Sequence, residues 1–344
     1  MFLQNAYAGT TIQLPQASTV AGKIDYVTDL VFWSSVVFFI LIVAGIAYFI
    51  RQYHRSRKGR VTAYILGHHG LEAAWTFIPL VFMLIIFVYG FVVFKEIRAV
   101  PADAYEINVY GRQWLWNFEY TNGRKTMNEL VVPKDKPVKL IMTSEDVLHS
   151  FYIPNFRLKQ DVVPGAYNYL SFIATMSGEH PLYCAEFCGT GHSDMLGKVF
   201  VLEQPDFDKW LASGRLPANL VAHRFGGMSH STGSGISEPA SGVVGAKKSL
   251  AEKGKDVFMS KGCFACHSTD GSPKVGPSFL HAYGRVEELQ DGSKVTVDEN
   301  YIRESIMDPQ KKIVKGYPPS MPTFRGLLSD EEVNALVAYI KSLK

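Results

Sequence analysis

Cys184-Ala-Glu-Phe-Cys188-Gly-Thr-Gly-His192-Ser-Asp-Met195 puts two thiols, an imidazole and a thioether into twelve residues. On either side lie short apolar and β-branched runs: residues 105–111 (YEINVYG), 130–133 (LVVP), 137–143 (PVKLIMT), 167–175 (YNYLSFIAT) and 198–204 (KVFVLEQ). Asn122-Gly123 adds a hairpin turn signal. Many short strands with a turn every ten residues or so predict an all-β sandwich or barrel between Pro101 and about Glu203. The Cys/His/Met run is then a loop between two strands, and a second imidazole, His149, lies upstream in residues 144–156 (SEDVLHSFYIPNF).

Two Cys and two His would also suit a closed tetrahedral zinc site. Met195 favours copper, because a thioether is a soft ligand. The chain of 344 residues has four cysteines, in two close pairs, C-x-x-x-C and C-x-x-C-H. A disulfide in either pair would close a very short loop and add little stability, so ligand or cofactor chemistry is the better reading. The net charge of +3 is close to balance and gives no reason to expect a nucleic-acid partner.

Upstream of the strands, Leu30 to Ile50 and Ala73 to Phe94 are uncharged and apolar, each about the ~20 residues a helix needs to cross a bilayer. Pro79 in the second run is tolerated in a membrane helix. Between them stand Arg51, Arg55, Arg57, Lys58 and Arg60, whereas the outer flanks offer Lys23, Lys95 and Arg98. The positive-inside rule puts that loop in the cytoplasm and everything after about Ile97 on the outer face. Glu72 reads first as a carboxylate complementing the start of the second helix. No signal peptide is apparent at the N-terminus.

Beyond the strands, residues 226–248 are rich in Gly and Ser and read as a flexible tether, with His223 and His230 solvated. Cys263-Phe-Ala-Cys266-His267 is the signature of covalent c-type haem attachment. A helix around Gly254 and Phe258 precedes it. Met321, in the Pro-rich stretch Gly316-Tyr-Pro-Pro-Ser-Met321-Pro, offers the thioether that pairs with His267 in cytochromes c. Met259 and Met307 compete less well, one too near the attachment site and one in a predicted helix. A final helix is opened by a capping box, Ser329 with Glu332, and carries Val333, Leu336, Val337 and Ile340 at helical spacing.

Residues 111–120 (GRQWLWNFEY), the stretch from Ser144 through Gly165 and the 184–195 loop together resemble subunit II of the haem–copper oxidases. Residues 249–344 resemble a class I cytochrome c. The resemblance implies two transmembrane helices, then a cupredoxin sandwich, then an all-α cytochrome c domain. It divides the chain into an outer segment 1–29, a membrane hairpin 30–97, a copper domain 101–205, a connector 206–248 and a haem domain 249–344.

The same resemblance implies a binuclear copper centre. Cys184 and Cys188 would bridge the metals, His149 and His192 would each bind one, and Met195 and the Glu186 carbonyl would be weak ligands. The Glu186 side chain would bind magnesium at the subunit I boundary, Trp114 would be the electron port, and Glu72 would lie near a proton pathway. Cys263 and Cys266 would hold haem c, with His267 and Met321 axial and the Gly276-Pro277 segment accepting a hydrogen bond from the imidazole. The implied setting is a bacterial inner membrane, with metal domains on the periplasmic face. The implied partners are oxidase subunit I, subunit III, a cytochrome c donor and a quinol-oxidising complex in a supercomplex. The implied function is to pass electrons from haem to copper to subunit I, for oxygen reduction coupled to proton pumping. Two alternatives stay open: the electron-accepting subunit of a copper-dependent nitric oxide reductase, and a membrane-anchored shuttle. Lys311, Lys312 and Lys315 are candidates for facing an acidic patch on the copper domain or the donor, although solvated lysines are the simpler reading.

Overall fold

The computed structural model describes residues 14–56, 64, 66–217 and 248–344. Helix α1 (Ala21–Tyr53) and helix α2 (His69–Arg98) are both long and apolar enough to cross a membrane. They run antiparallel, with Tyr26 against Tyr89 at 5.7 Å and Phe38 against Phe82 at 6.2 Å between ring centroids. Lys23 of α1 meets Glu96 of α2 at one end, and Arg51 closes α1 at the other. Arg57, Lys58 and Arg60 lie outside the described residues. Glu72 folds back on the start of α2, accepting from the His68 backbone N–H at 3.2 Å, as the helix-end reading expects.

α1 begins nine residues before the apolar run, and its first turns serve another contact. Asp25 is fully buried against Arg157, whose Nε and Nη2 donate to its carboxylate at 2.7 and 3.1 Å. Gln16 donates to the same carboxylate, and the Ala17 N–H donates to the Asn155 carbonyl at 2.8 Å. The described part of the N-terminal segment is therefore a strap on the copper domain.

Ten strands form two five-stranded sheets. The first has the order β3 (Lys125–Met127), β2 (Leu115–Tyr120), β1 (Tyr105–Arg112), β5 (Pro137–Ser144), β8 (Asn168–Ile173). The second has the order β4 (Glu129–Pro133), β10 (Leu196–Leu202), β9 (Gly178–Cys184), β6 (His149–Ile153), β7 (Leu158–Val162). Along β5 the alternation is regular: Val138, Leu140 and Met142 point inward. Trp116, Phe118, Phe151 and Phe200 fill the space between sheets, each such burial contributing about 1.5–3 kcal/mol. The Asn122-Gly123 turn joins β2 to β3 with Gly123 at φ +80°.

The copper domain does not end near residue 205. Helix α3 (Gln204–Ser213) returns onto the sandwich and buries Phe207 and Trp210. Trp210 packs 4.8 Å from Tyr120, and Arg124 lies over its ring while donating to the Leu211 carbonyl. Residues 207, 210 and 211 have the helical spacing that would have revealed this element.

The C-terminal domain is built on α4 (Leu250–Ser260), α5 (Cys263–Cys266), α6 (Glu299–Met307) and α7 (Asp330–Ser342). A small hairpin of β11 (Val286–Glu288) and β12 (Lys294–Thr296) adds to the expected helices. α4 and α7 both open with complete capping boxes, Ser249 with Glu252 and Ser329 with Glu332. They cross at Gly254, where a Cβ would lie 2.7 Å from the Cβ of Tyr339, so only glycine permits this approach. Residues 218–247, which hold His223, His230 and all of the tether but Lys248, lie outside the described residues.

Candidate metal centres

The β6–β9 pairing brings the first site together. Phe151 pairs with Cys184, which places the end of β9 beside His149 at the start of β6. The Ala185 N–H then donates to the Ser150 carbonyl at 2.9 Å and turns the chain into the loop. A helical turn at His192–Asp194 returns it, with Met195 at the mouth of β10. Cys184 Sγ lies 3.8 Å from Cys188 Sγ, far beyond the ~2.05 Å of a disulfide. His149 Nδ1 is 3.9 Å from Cys184 Sγ, and His192 Nδ1 is 3.5 Å from Cys188 Sγ. Met195 Sδ is 3.8 Å from Cys188 Sγ, and the Glu186 carbonyl is 3.3 Å from Cys184 Sγ.

All six predicted donors thus converge. The thiols sit side by side, each with its own imidazole and its own weak donor. That pairing fits two soft metal ions sharing both sulfurs. His149 is fully buried, and Cys184, Cys188 and Met195 are nearly so. The hydrogen bond from Cys188 pulls the Cys184 thiol strongly down, so one thiolate of the pair forms readily.

Asp146 completes this site and was missed in the sequence, although it stands three residues before His149. Its Oδ1 lies 2.8 Å from His149 Nε2, which fixes the ring and leaves Nδ1 facing the sulfurs. Burial opposes charge on His149, but Asp146 and Cys184 outweigh it and raise the imidazole to about 8. The ring is also held by Trp116 and by Gly111, where a Cβ would lie 3.1 Å from His149 Cδ2.

Trp114 lies against the loop. Its Nε1–H donates to the Cys188 carbonyl at 3.3 Å, and Gln113 Nε2 donates to the same oxygen at 2.7 Å. Gly191 makes this possible, since a Cβ there would lie 2.5 Å from Trp114 Cδ2.

The second site is a largely apolar cleft of about 1430 Å³ of empty space, open mouth included. Cys263, Cys266, His267, Gly276 and Met321 line it, as does Trp114 of the copper domain. His267 Nδ1–H donates to the Pro277 carbonyl at 2.8 Å, which leaves Nε2 free toward the cleft. Gly276 is close enough that a Cβ would lie 2.6 Å from His267 Cε1. Burial pushes the Cys263 and Cys266 thiols up to about 12 and about 11, unlike a reactive dithiol. A flat macrocycle joined to two neutral thiols and one imidazole fits this cradle.

The two domains touch through these sites. Leu115 and Met127 pack into the apolar cluster of the haem domain, and Ala265 packs into that of the copper domain. Gly262 approaches Asn128 so closely that a Cβ would lie 2.6 Å from its Nδ2. Lys311 and Lys312 pair with Glu304, and Lys315 pairs with Glu288, all inside the haem domain. These lysines are thus partnered within their own domain.

Comparison with known proteins gives a consistent picture. Residues 7–93 match the family "Cytochrome C oxidase subunit II, transmembrane domain", residues 124–201 match "Cytochrome C oxidase subunit II, periplasmic domain", and residues 251–344 match "Cytochrome c". Cytochrome c oxidase subunit 2 of Alkalihalophilus pseudofirmus is 30% identical, over 88% of this chain and 82% of that protein. Alternative cytochrome c oxidase subunit 2 of Bradyrhizobium diazoefficiens is 31% identical, over 58% of this chain and 83% of that protein. The crystal structure of the periplasmic domain of subunit II of cytochrome oxidase of Bradyrhizobium japonicum is 30% identical, covering 33% of this chain and 96% of that one, with a TM-score of 0.32. The chain belongs to the cytochrome c oxidase subunit 2 family, with two membrane-spanning-type helices, a copper-type sandwich and a cytochrome c domain fused at its C-terminus.

Proposed function

We propose that this chain carries electrons from a cytochrome c donor through its own haem c, past Trp114, to a pair of coppers and on to subunit I, where oxygen is reduced and protons are pumped. The observation that carries this reading is the placement of Trp114. Its ring lines the haem cleft, and its Nε1 donates to the carbonyl of Cys188, so one side chain touches both sites.

Haem and copper supply one-electron redox chemistry when bound, and the chain supplies position. Cys184 and Cys188, with their sulfurs side by side, would hold the copper pair, which would supply a one-electron store with little change in geometry. His149, locked by Asp146, Trp116 and Gly111, and His192 would each hold one of the pair. Met195 and the Glu186 carbonyl are the outlying donors. In the haem domain Cys263 and Cys266 would hold the haem through thioether bonds. His267, oriented by Pro277, and Met321 would hold its iron from the cleft walls. The Glu186 side chain is proposed for magnesium at the boundary with subunit I. Glu72, at the start of α2, is proposed for the mouth of a proton pathway.

The test is a rapid-mixing experiment on the intact oxidase under oxygen. A reduced cytochrome c donor is added, and haem and copper absorption are followed together. The proposed order is reduction of haem c first, copper second and oxygen uptake last. Copper reduction that precedes haem c, or proceeds unchanged when haem c is held out of the reaction, would contradict the route.

A further inference from the structure

Lys274 follows the haem-attachment motif by seven residues and reaches across the domain boundary. Its Nζ donates to the Phe264 carbonyl, inside the attachment turn, at 2.5 Å. The same Nζ lies 3.2 Å from Asp194 Oδ2, in the loop between His192 and Met195. Lys274 and Asp194 are each about one-third exposed, at 30% and 32%. The ammonium thus connects the turn that carries Cys263 and Cys266 to the loop that carries Cys188, His192 and Met195. The rest of the boundary near it is apolar: Ala265, Cys266 and Val275 pack on the copper-domain cluster, and Leu115 and Met127 on the other. Apolar contact is non-directional and fixes no register. A charged hydrogen bond to a carbonyl and a carboxylate does fix one.

We propose that Lys274 is a positioning residue for electron transfer inside this chain: by tying the Phe264 carbonyl to Asp194 it sets the seat of the haem domain over Trp114 and the copper loop. The inference rests on the haem-to-copper route proposed above. It adds that the fused domain is held in one orientation by a polar latch, not merely kept nearby by its tether.

The experiment uses the intact oxidase with haem and copper bound, in four forms: wild type, Lys274→Ala, Lys274→Glu and Lys274→Arg. Haem c is reduced by a light pulse, and the haem-to-copper rate is read at about 10 mM and about 300 mM salt, where screening lengths differ several-fold. The Ala variant is expected to lose about two- to fivefold in rate at low salt, the range of a partly exposed ion pair, and to lose its salt dependence. The Glu variant is expected to be slower again and to speed up with salt, and the Arg variant to restore the rate. Haem potential and copper resonance spectrum stay at wild-type values in all four. A wild-type rate and salt slope in the Ala and Glu variants would overturn the proposal. So would a slower rate accompanied by a shifted haem potential, which would place the effect of Lys274 inside the haem domain. Amide hydrogen exchange of residues 113–128 reads docking without electron flow. Protection lost in Lys274→Glu and kept in Lys274→Arg supports the latch even if the wild-type electron route proves different, and equal protection in all four forms overturns it.

Discussion

Gly191→Ala should detach Trp114 from the copper loop. Gly191 has φ −90° and ψ 16°, which other residues adopt without strain, so the cost is steric and not conformational. The added Cβ would lie 2.5 Å from Trp114 Cδ2 and 2.7 Å from Cε3. Carbon atoms pack comfortably at about 3.5 Å, so ring or loop must move by about 1 Å. Neither moves freely. Trp114 is 7% exposed, and the loop is fixed before Gly191 by the Gln113 bond to the Cys188 carbonyl and at Gly191 by the Asp194 N–H donating to its carbonyl. Overpacking of this kind costs about 1–3 kcal/mol. At about 4–8 °C per kcal/mol for a domain near 100 residues, the melting point should fall by at least about 4 °C. The assay is thermal unfolding of the copper-loaded chain followed by its copper absorption, together with the rate of haem-to-copper transfer. The same substitution in a Trp114→Ala background should cost nothing further, because the opposing ring is gone. An equal loss in both backgrounds, or no loss in either, would refute the steric seat.

Four further outcomes follow from the geometry. Asp146→Asn should weaken copper retention by about 10- to 100-fold, measured by competition with a chelator. In the copper-free chain His149 is raised to about 8, so its charged form stabilises the fold below about 6.5, by up to about 2 kcal/mol. That stability is lost as pH rises through about 8, and denaturant titrations at pH 6 and pH 9 should show a larger loss in wild type than in Asp146→Asn, where only Cys184 still raises the imidazole. Met321→Ala should leave haem attached through Cys263 and Cys266 but lower its potential and change its reduced spectrum, and an unchanged spectrum would remove Met321 as the axial ligand. Asp25→Ala leaves Arg157 buried without its carboxylate and should cost about 3–5 kcal/mol, read as earlier denaturant unfolding of the copper domain.

The sequence carried the donor atoms themselves. Metal ligands are specific residue types, and the 184–195 loop and the Cys263–His267 motif hold most of the candidates within a few residues. The alternation of 137–143 became β5, and both apolar runs became helices. What escaped were contacts made by folding. Asp146 is an ordinary carboxylate until β6 turns His149 toward it. Gly191 is one glycine among 29 until Trp114 packs on it. The extension of the copper domain through α3 depends on Arg124 and Tyr120, some ninety residues upstream of Trp210. The docking of the haem domain on Trp114 and Leu115 crosses a tether whose composition says nothing about where its ends meet.

The most direct test is metal analysis and electron paramagnetic resonance of the intact chain purified in detergent. Two coppers and one covalent haem per chain are expected, with one unpaired electron shared equally by both coppers. A single zinc, or one copper with a mononuclear spectrum, would contradict it.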